Sequence, residues 1–187
     1  MKMRDSKGFT LIELLIVVAI IGIIAAIAIP GLLRARMSGN EASAIGSMRA
    51  VNSAESTYAS SCAAGNYAQS LSDLIKTPAG SNAGFVSPDL DPAINAGKTA
   101  GVSVSKSGYD VIVGPGATLV PATLAANTCN VAAANAIPTY YSAATPNQQG
   151  STGTRSFGTD QRATIYQDNL GAVFTAATVA AATTPLQ

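Results

Sequence analysis

A glutamate inside an apolar segment is the residue whose type and position most directly suggest chemistry. Residues 8–30 read GFTLIELLIVVAIIGIIAAIAIP, and Glu13 is the ionisable side chain among them. A charge at membrane depth costs roughly 2.5 to 3.5 kcal/mol unless it finds a partner. We therefore expect Glu13 to form a charge pair with a cation that reaches the end of an apolar helix.

The rest of the chain carries few patterns that could support catalysis. It has no histidine, which excludes histidine-based triads and the usual histidine ligands of zinc. Its serine and cysteine residues occur without a paired base that would activate a nucleophile. The sequence therefore predicts a protein that is not an enzyme and that binds no cofactor.

The apolar segment is long enough to cross a membrane as one helix. Residues 9–33 span 25 positions. At about 1.5 Å per residue a helix over them extends roughly 38 Å, beyond the ~30 Å of a hydrocarbon core. The preceding flank contains three cations and one acid: Lys2, Arg4, Lys7 and Asp5. This excess of positive charge predicts a cytoplasmic N-terminus and an exported remainder, although Arg34 and Arg36 reduce the asymmetry.

Two ordinary alternatives also fit an apolar N-terminal segment. Ala26-Ile27-Ala28 matches the small-residue cleavage site of a secretory signal peptide, which would give a mature chain starting at Ile29. The run from Leu14 to Ile29 has 16 residues, however, and is longer than the usual apolar region of such a peptide. A plain membrane anchor, the second alternative, leaves Glu13 unexplained.

The residues around Glu13 resemble a known family. The sequence Lys7-Gly8-Phe9-Thr10-Leu11-Ile12-Glu13, followed by a long apolar helix with Gly22 and Pro30, closely resembles the N-terminal signature of type IV prepilins and of the related pseudopilins of type II secretion. The resemblance implies cleavage after Gly8 by a prepilin peptidase, methylation of Phe9 and a role for Glu13 in assembly. It also implies a precursor in the inner membrane and a pilus or secretion assembly machinery as partner.

The chemistry of Phe9 and Glu13 explains why such processing would matter. Cleavage after Gly8 turns the Phe9 amide into an α-amino group with an ordinary pKa of about 7.7 to 8.0. When helices stack with an axial offset, the amine of one subunit can meet the Glu13 carboxylate of its neighbour. Breaking one partner of a buried pair costs about 3 to 5 kcal/mol. This pairing predicts a homopolymer through the N-terminal helices, whereas a carboxylate that only reaches the membrane interface would not.

Three residues predict a helix that can lose its regularity. Pro30 removes a backbone donor and clashes with the carbonyl of Ala26, and Gly22 and Gly31 each disfavour helix by about 1 kcal/mol. In pilin-like filaments the corresponding region loses helicity on polymerisation, and the resemblance implies the same here. A gentle kink is the alternative.

The remaining sequence predicts an α+β fold. Apolar residues recur at helical spacing beyond the membrane segment: Ile45, Met48, Val51, Ala54 and Tyr58. Glu41, Arg49 and Glu55 lie among the polar positions of this helix. Short β-like runs follow at residues 109–113, 139–143 and 163–167, the last joined through residues 168–171 to a run at 172–175. They predict a small antiparallel sheet laid on the helix, as in type IV pilins, with long connections at 77–107 and 114–138.

The predicted organisation has four parts: a cytoplasmic leader at 1–8, a transmembrane and filament-core half of the helix at 9–33, an amphipathic half at 34–62 and a loop-rich globular β head at 63–187. Cys62 and Cys129 both fall on the exported side, where disulfides persist. They predict one intramolecular bridge; free thiols and bridges between subunits are the alternatives.

Charge and isolated acidic residues say little about further partners. Removing residues 1–8 leaves eight basic against nine acidic residues, and no basic stripe indicates nucleic-acid binding. Asp89 and Asp91 are weak candidates for Ca²⁺, because aspartate before a turn or proline is common. The sequence thus favours a pilin subunit, with a pseudopilin as the runner-up and a membrane-tethered binding module that never polymerises as a third reading.

Overall fold

The structure, a computed structural model, describes residues 8–99, 101–120 and 122–186. Residues 1–7 of the predicted leader, with their flanking charges, lie outside the described residues. The chain divides into two compact units, residues 1–36 and 37–187. Its helices are α1 (Leu11–Ser61), α2 (Leu71–Ile75) and α3 (Ala176–Ala180), with short 3-10 helices at Pro88–Leu90 and Ala125–Asn127. Its strands are β1 (Ser103–Lys106), β2 (Tyr109–Pro115), β3 (Tyr140–Pro146), β4 (Ser156–Asp160) and β5 (Tyr166–Asp168).

The described part of the first unit contains the N-terminal stretch of α1. The large apolar side chains from Phe9 to Leu33 are all exposed. Within the described residues, α1 is long and apolar enough to cross a membrane. The helix continues without interruption through Gly22, Pro30 and Gly31. Loss of helicity on polymerisation therefore stays a prediction.

The second unit contains an antiparallel sheet, as the sequence predicts. Its strand order follows the chain, β1-β2-β3-β4-β5, and each neighbouring pair is antiparallel. The longest pairing joins β2 to β3, with Val111 opposite Ala144 and Val113 opposite Ser142. Short connections suit such a meander, because antiparallel neighbours need only a hairpin between them.

Alternation along the strands divides the sheet into two faces. On β2, Tyr109, Val111 and Val113 join the main core together with residues of α1, whereas Ile112 packs against a second, smaller core on the other face. Successive side chains of a strand point to opposite faces, which produces this division. One face of the sheet is therefore assigned to the helix and the other to the C-terminal segment.

The apolar stripe on the second half of α1 is confirmed. Met48, Val51, Ala54 and Tyr58 are buried in the main core, and Ile45 packs against it. The prediction that Glu41 and Glu55 occupy polar positions is wrong: the first is 7% exposed and the second 0%. Glu41 accepts a hydrogen bond from the Thr154 amide, and Glu55 accepts one from the Ala68 amide. A helical spacing pattern does not reveal partners outside the helix. Arg49 is exposed, as predicted.

The predicted strand at 172–175 is wrong. These residues form no strand; Phe174 packs in the smaller core, and Thr175 caps α3 by accepting a hydrogen bond from the Thr178 amide. This segment approaches β4 so closely that a Cβ at Gly158 would lie 2.6 Å from the Phe174 ring and 2.8 Å from Val179. Glycine in β4 therefore permits the C-terminal layer to cover the outer face.

The other strand predictions are confirmed in part. The runs at 109–113 and 139–143 correspond to β2 and β3, which extend further, and the run at 163–167 overlaps β5 at its end. The sequence did not predict β1 or β4. The connection at 77–107 contains a 3-10 helix and β1, and the one at 114–138 contains the second 3-10 helix, so neither is an unstructured loop.

Both edges of the sheet are covered by irregular backbone. Along β1, Gly97 donates to the Ser103 carbonyl and Ser105 donates to the Asn95 carbonyl. Along β5, the Leu186 amide donates to the Ile165 carbonyl, and the Gln167 amide donates to the Thr184 carbonyl. Exposed strand edges promote pairing with other chains. These segments therefore reduce association of the head through its sheet.

Candidate assembly site

Thr10 and Glu13 form a reciprocal cap at the start of α1. The Thr10 amide and hydroxyl both donate to Glu13 Oε2, at 2.9 and 2.6 Å, and the Glu13 amide donates to Thr10 Oγ1 at 3.3 Å. This is the capping-box arrangement, in which a threonine and a residue three positions later satisfy each other's free amides. The first turn of α1 thereby holds the carboxylate at the helix tip.

Sequence reasoning missed this cap, although the signal was present. Thr10-Leu11-Ile12-Glu13 has the threonine and glutamate spacing that precedes many helices. The hydrogen bonds from Thr10 use only Oε2 of Glu13. The second oxygen is therefore available for another donor.

Gly8 and Phe9 precede the helix. Both residues are exposed, and the Phe9 side chain is 80% exposed. A Cβ built at Gly8 meets no atom within 4 Å, so the peptide bond after it lies in an open segment. The Phe9 nitrogen is a peptide amide in this chain, so its charge pair with Glu13, which depends on cleavage after Gly8, stays a prediction.

A row of small residues follows on α1. Gly22 is exposed and a Cβ there would meet nothing within 4 Å; Ala19, Ala25 and Ala26 accompany it in the sequence. In a membrane, small residues let the backbones of neighbouring helices approach closely. This surface is therefore suited to helix–helix contact.

The predicted disulfide is confirmed. Cys62 and Cys129 are bonded with an S–S distance of 2.04 Å and a Cα–Cα distance of 4.7 Å. The Cys129 amide also donates to the Cys62 carbonyl at 3.2 Å. The bridge ties the residue after α1 to the segment after the second 3-10 helix.

Asp89 and Asp91 are engaged within their own unit. Asp89 Oδ2 lies 2.5 Å from Lys106 Nζ, and this hydrogen bond lowers the pKa of the Asp89 carboxyl. Asp91 Oδ1 accepts from the Ala93 amide at 2.8 Å. The described residues contain no group of three potential metal ligands. Calcium binding by these two residues stays a prediction.

A clamp of hydrogen bonds joins α1 to the β3–β4 connection through Glu41. Its Oε1 accepts from the Thr154 amide, the Thr154 hydroxyl and the Arg155 amide at 3.0 to 3.2 Å. Its Oε2 accepts from Arg155 Nε and Nη2 at 2.9 and 2.7 Å. The guanidinium also lies 5.6 Å from the Phe157 ring centroid. Burial alone would raise the pKa of Glu41, but these donors outweigh it, and the pKa lies below its ordinary value.

Replacing Glu41 with glutamine should lower the free energy of unfolding by about 2 kcal/mol, between the values for exposed and buried pairs, because the Glu41 side chain is 9% exposed and that of its partner Arg155 is 35% exposed. Urea unfolding of the full chain in detergent micelles measures this difference. The pair contributes above the ordinary glutamate pKa of about 4.3 and is lost as the pH falls through the lower folded pKa, so the difference should shrink below about pH 4.

Lys106→Gln is the matched control for this prediction. It breaks the more exposed pair with Asp89, in which the two side chains are 31% and 46% exposed. Exposed pairs contribute about 1 kcal/mol or less. Equal losses for the two variants would contradict the role of Glu41 as a clamp.

These features, a capped carboxylate at the tip of a long exposed apolar helix and a small antiparallel sheet in the second unit, are the architecture of a pilin-like subunit. A family model described as the prokaryotic N-terminal methylation motif matches residues 3–29. The chain thus combines a prepilin-type methylation motif with a pilin-like α+β architecture.

Its curated relatives carry pilus-related names. The chain is 67% identical over 39 residues to the type IV wide pilus major component of Thermus thermophilus, covering 21% of this chain and 30% of that protein. It is 46% identical over 53 residues to a type IV major pilin protein of Myxococcus xanthus, covering 28% and 24% of the two chains. A fimbrial protein of Pseudomonas aeruginosa is 82% identical over 28 residues, 15% of this chain and 18% of the relative.

These matches span less than a third of each relative's length and cover similarly small shares of this chain. No solved structure matches the chain. The similarity therefore applies to a short segment of the chain.

Proposed function

We propose that this chain is the structural subunit of a type IV pilus-like filament. Its precursor is anchored in the bacterial inner membrane by residues 9–33, is cut after Gly8 by a prepilin peptidase, and polymerises through α1. The observation that carries this proposal is the methylation motif at the start of a helix whose large apolar side chains, from Phe9 to Leu33, are all exposed. A lipid bilayer and a bundle of like helices are the two environments that cover such a surface.

Transfer from lipid to a helix bundle changes apolar burial little. Lipid tails are as apolar as leucine, so helix association in a membrane depends on close packing and polar contacts. Gly22 and the alanines near it allow close packing. Direction and register must then come from polar groups, and Glu13 is the ionisable side chain of the apolar segment.

The cap at Thr10 supports an assembly role for Glu13. Two donors from Thr10 hold Oε2 at the tip of α1, and Oε1 is left for a second donor. The methylated amine of Phe9 from a neighbouring subunit is positively charged and can donate a hydrogen bond to Glu13 Oε1. Glu13 then fixes the axial offset between adjacent helices.

The covered sheet edges support polymerisation through the helix. Residues 95–97 and 184–186 occupy the hydrogen-bonding edges of β1 and β5. Strand addition would have to displace them. We infer that the head stays folded as in the free subunit and carries the variable surface of the filament.

Electron microscopy of cells that make this protein tests the proposal against its alternatives. Antibodies against the head should decorate long surface filaments. Filaments that appear only on overproduction, together with a secretion defect when the protein is absent, would identify the runner-up, a pseudopilin of a type II secretion system. Surface display of the head without any filament would identify a membrane-tethered binding module.

A further inference from the structure

Glu55, on α1, lies in the core of the second unit without a cationic partner among the described residues. Its side chain is 0% exposed. Oε2 accepts a single hydrogen bond, from the Ala68 amide at 2.9 Å, and Oε1 has no hydrogen-bond partner among the described residues. A buried carboxylate normally requires several donors or an opposite charge. Glu55 has one donor.

The ionisable groups around Glu55 make a negative charge there still less favourable. Burial raises the pKa of Glu55 well above its ordinary value; the Ala68 amide lowers it, and the charge of Asp73 on α2 raises it further. The charge of Glu55 also acts on Tyr58 of α1 and Tyr140 of β3, and burial is the largest cause that raises the pKa of both phenols. None of these groups is a cation.

The contrast with Glu41 on the same helix indicates what Glu55 lacks. Glu41 accepts five hydrogen bonds, two of them from the guanidinium of Arg155. The ion pairs of the described residues use Glu41, Asp89 and Asp160. The two buried glutamates of α1 therefore lie in opposite electrostatic environments: Glu41 is paired with a cation, and Glu55 is not.

We propose that Glu55 is a pH-sensitive latch, a neutral carboxylic acid at neutral pH that joins α1 to the segment entering α2. In this form its carbonyl oxygen accepts from the Ala68 amide and its hydroxyl adds no charge to the core. Loss of the proton as the pH rises places an unpaired charge in the field of Asp73. The contact between α1 and the segment around Ala68 then weakens and the head loses stability. This inference concerns the head and does not depend on filament formation.

The direction of the pH effect follows from proton linkage. An acid whose folded-state pKa is raised binds its proton more tightly when folded. Stability is therefore complete below the ordinary pKa of glutamate and falls as the pH rises from there toward the folded-state pKa. One linked proton changes the folding equilibrium constant by up to about tenfold per pH unit in that interval.

Carbon-13 NMR of the full chain in detergent micelles tests the latch directly. The chain contains three glutamates, Glu13, Glu41 and Glu55. Labelling the glutamate carboxyl carbons therefore gives three signals. The Glu13→Gln and Glu41→Gln variants assign the third signal by elimination, so the assignment does not depend on folding of a Glu55 variant. We expect the Glu55 signal to stay in its protonated position at pH 7 and the Glu41 signal to be ionised.

The Glu55→Gln variant supplies a second measurement. Glutamine keeps the shape and the acceptor for the Ala68 amide but cannot ionise. Between pH 5 and pH 9 the folding equilibrium constant of this variant should fall less than that of the parent. The difference between the two proteins should reach up to about tenfold for each pH unit that lies between the ordinary pKa of glutamate and the folded-state pKa of Glu55. An ionised Glu55 signal at pH 7, or identical pH profiles for the two proteins, would overturn the proposal.

Discussion

Cells that make the Glu13→Ala variant should assemble almost no filaments. If the Glu13 carboxylate pairs with the Phe9 amine of a neighbour in the filament, its removal leaves a buried cation at each step. Breaking one partner of a buried pair costs about 3 to 5 kcal/mol, which weakens each subunit contact by roughly two to four orders of magnitude. Sheared filament yield per unit of membrane-bound precursor, from quantitative immunoblots, measures the effect.

Thr10→Val is the matched control for this variant. It removes the hydroxyl that donates to Glu13 Oε2 at 2.6 Å but keeps the carboxylate and the backbone donor. Loss of a helix cap costs about 1 kcal/mol, so filament yield should fall several-fold and no further. Normal filament yield from Glu13→Ala would contradict the assembly role of this glutamate.

Replacing both cysteines, Cys62→Ser with Cys129→Ser, should lower the free energy of unfolding by about 4 kcal/mol. The bridge closes a loop with a sequence separation of 67, and the loop-entropy model gives a value of this size for such a loop. The backbone hydrogen bond from the Cys129 amide to the Cys62 carbonyl would remain between the end of α1 and the segment after the second 3-10 helix. Urea unfolding of the full chain in detergent micelles measures the loss.

Reduction of the parent protein provides the control. A reductant should lower the stability of the parent toward that of the double-serine variant and leave the variant unchanged. Replacing both residues, and not one, avoids a free thiol that could bridge two subunits. A parent whose unfolding is indifferent to the reductant would contradict a stabilising bridge.

Elements with a strong local pattern could be predicted from the sequence. The long apolar run gives α1, and helical spacing from Met48 to Tyr58 gives its buried stripe. Alternating or β-branched runs give β2 and β3. In each case the residues that identify the element are neighbours in the chain, so a short window contains the information.

Features that depend on distant partners could not be predicted. Glu41 looks like a surface residue until Arg155, 114 positions later, is placed beside it. Glu55 has the same local appearance, and its burial follows from the path of the chain at Ala68. β4 contains Gly158, which disfavours a strand locally but fits beneath Phe174. The Thr10 cap is different, because the spacing of Thr10 and Glu13 is local in the sequence and predicts a capping box by itself.

The mass of the subunit recovered from purified filaments tests the central claim most directly. The account predicts that the recovered chain lacks residues 1–8 and begins with a methylated Phe9. A subunit that retains its first eight residues, or one that begins at Ile29, would contradict processing at Gly8 and with it the proposed assembly through α1.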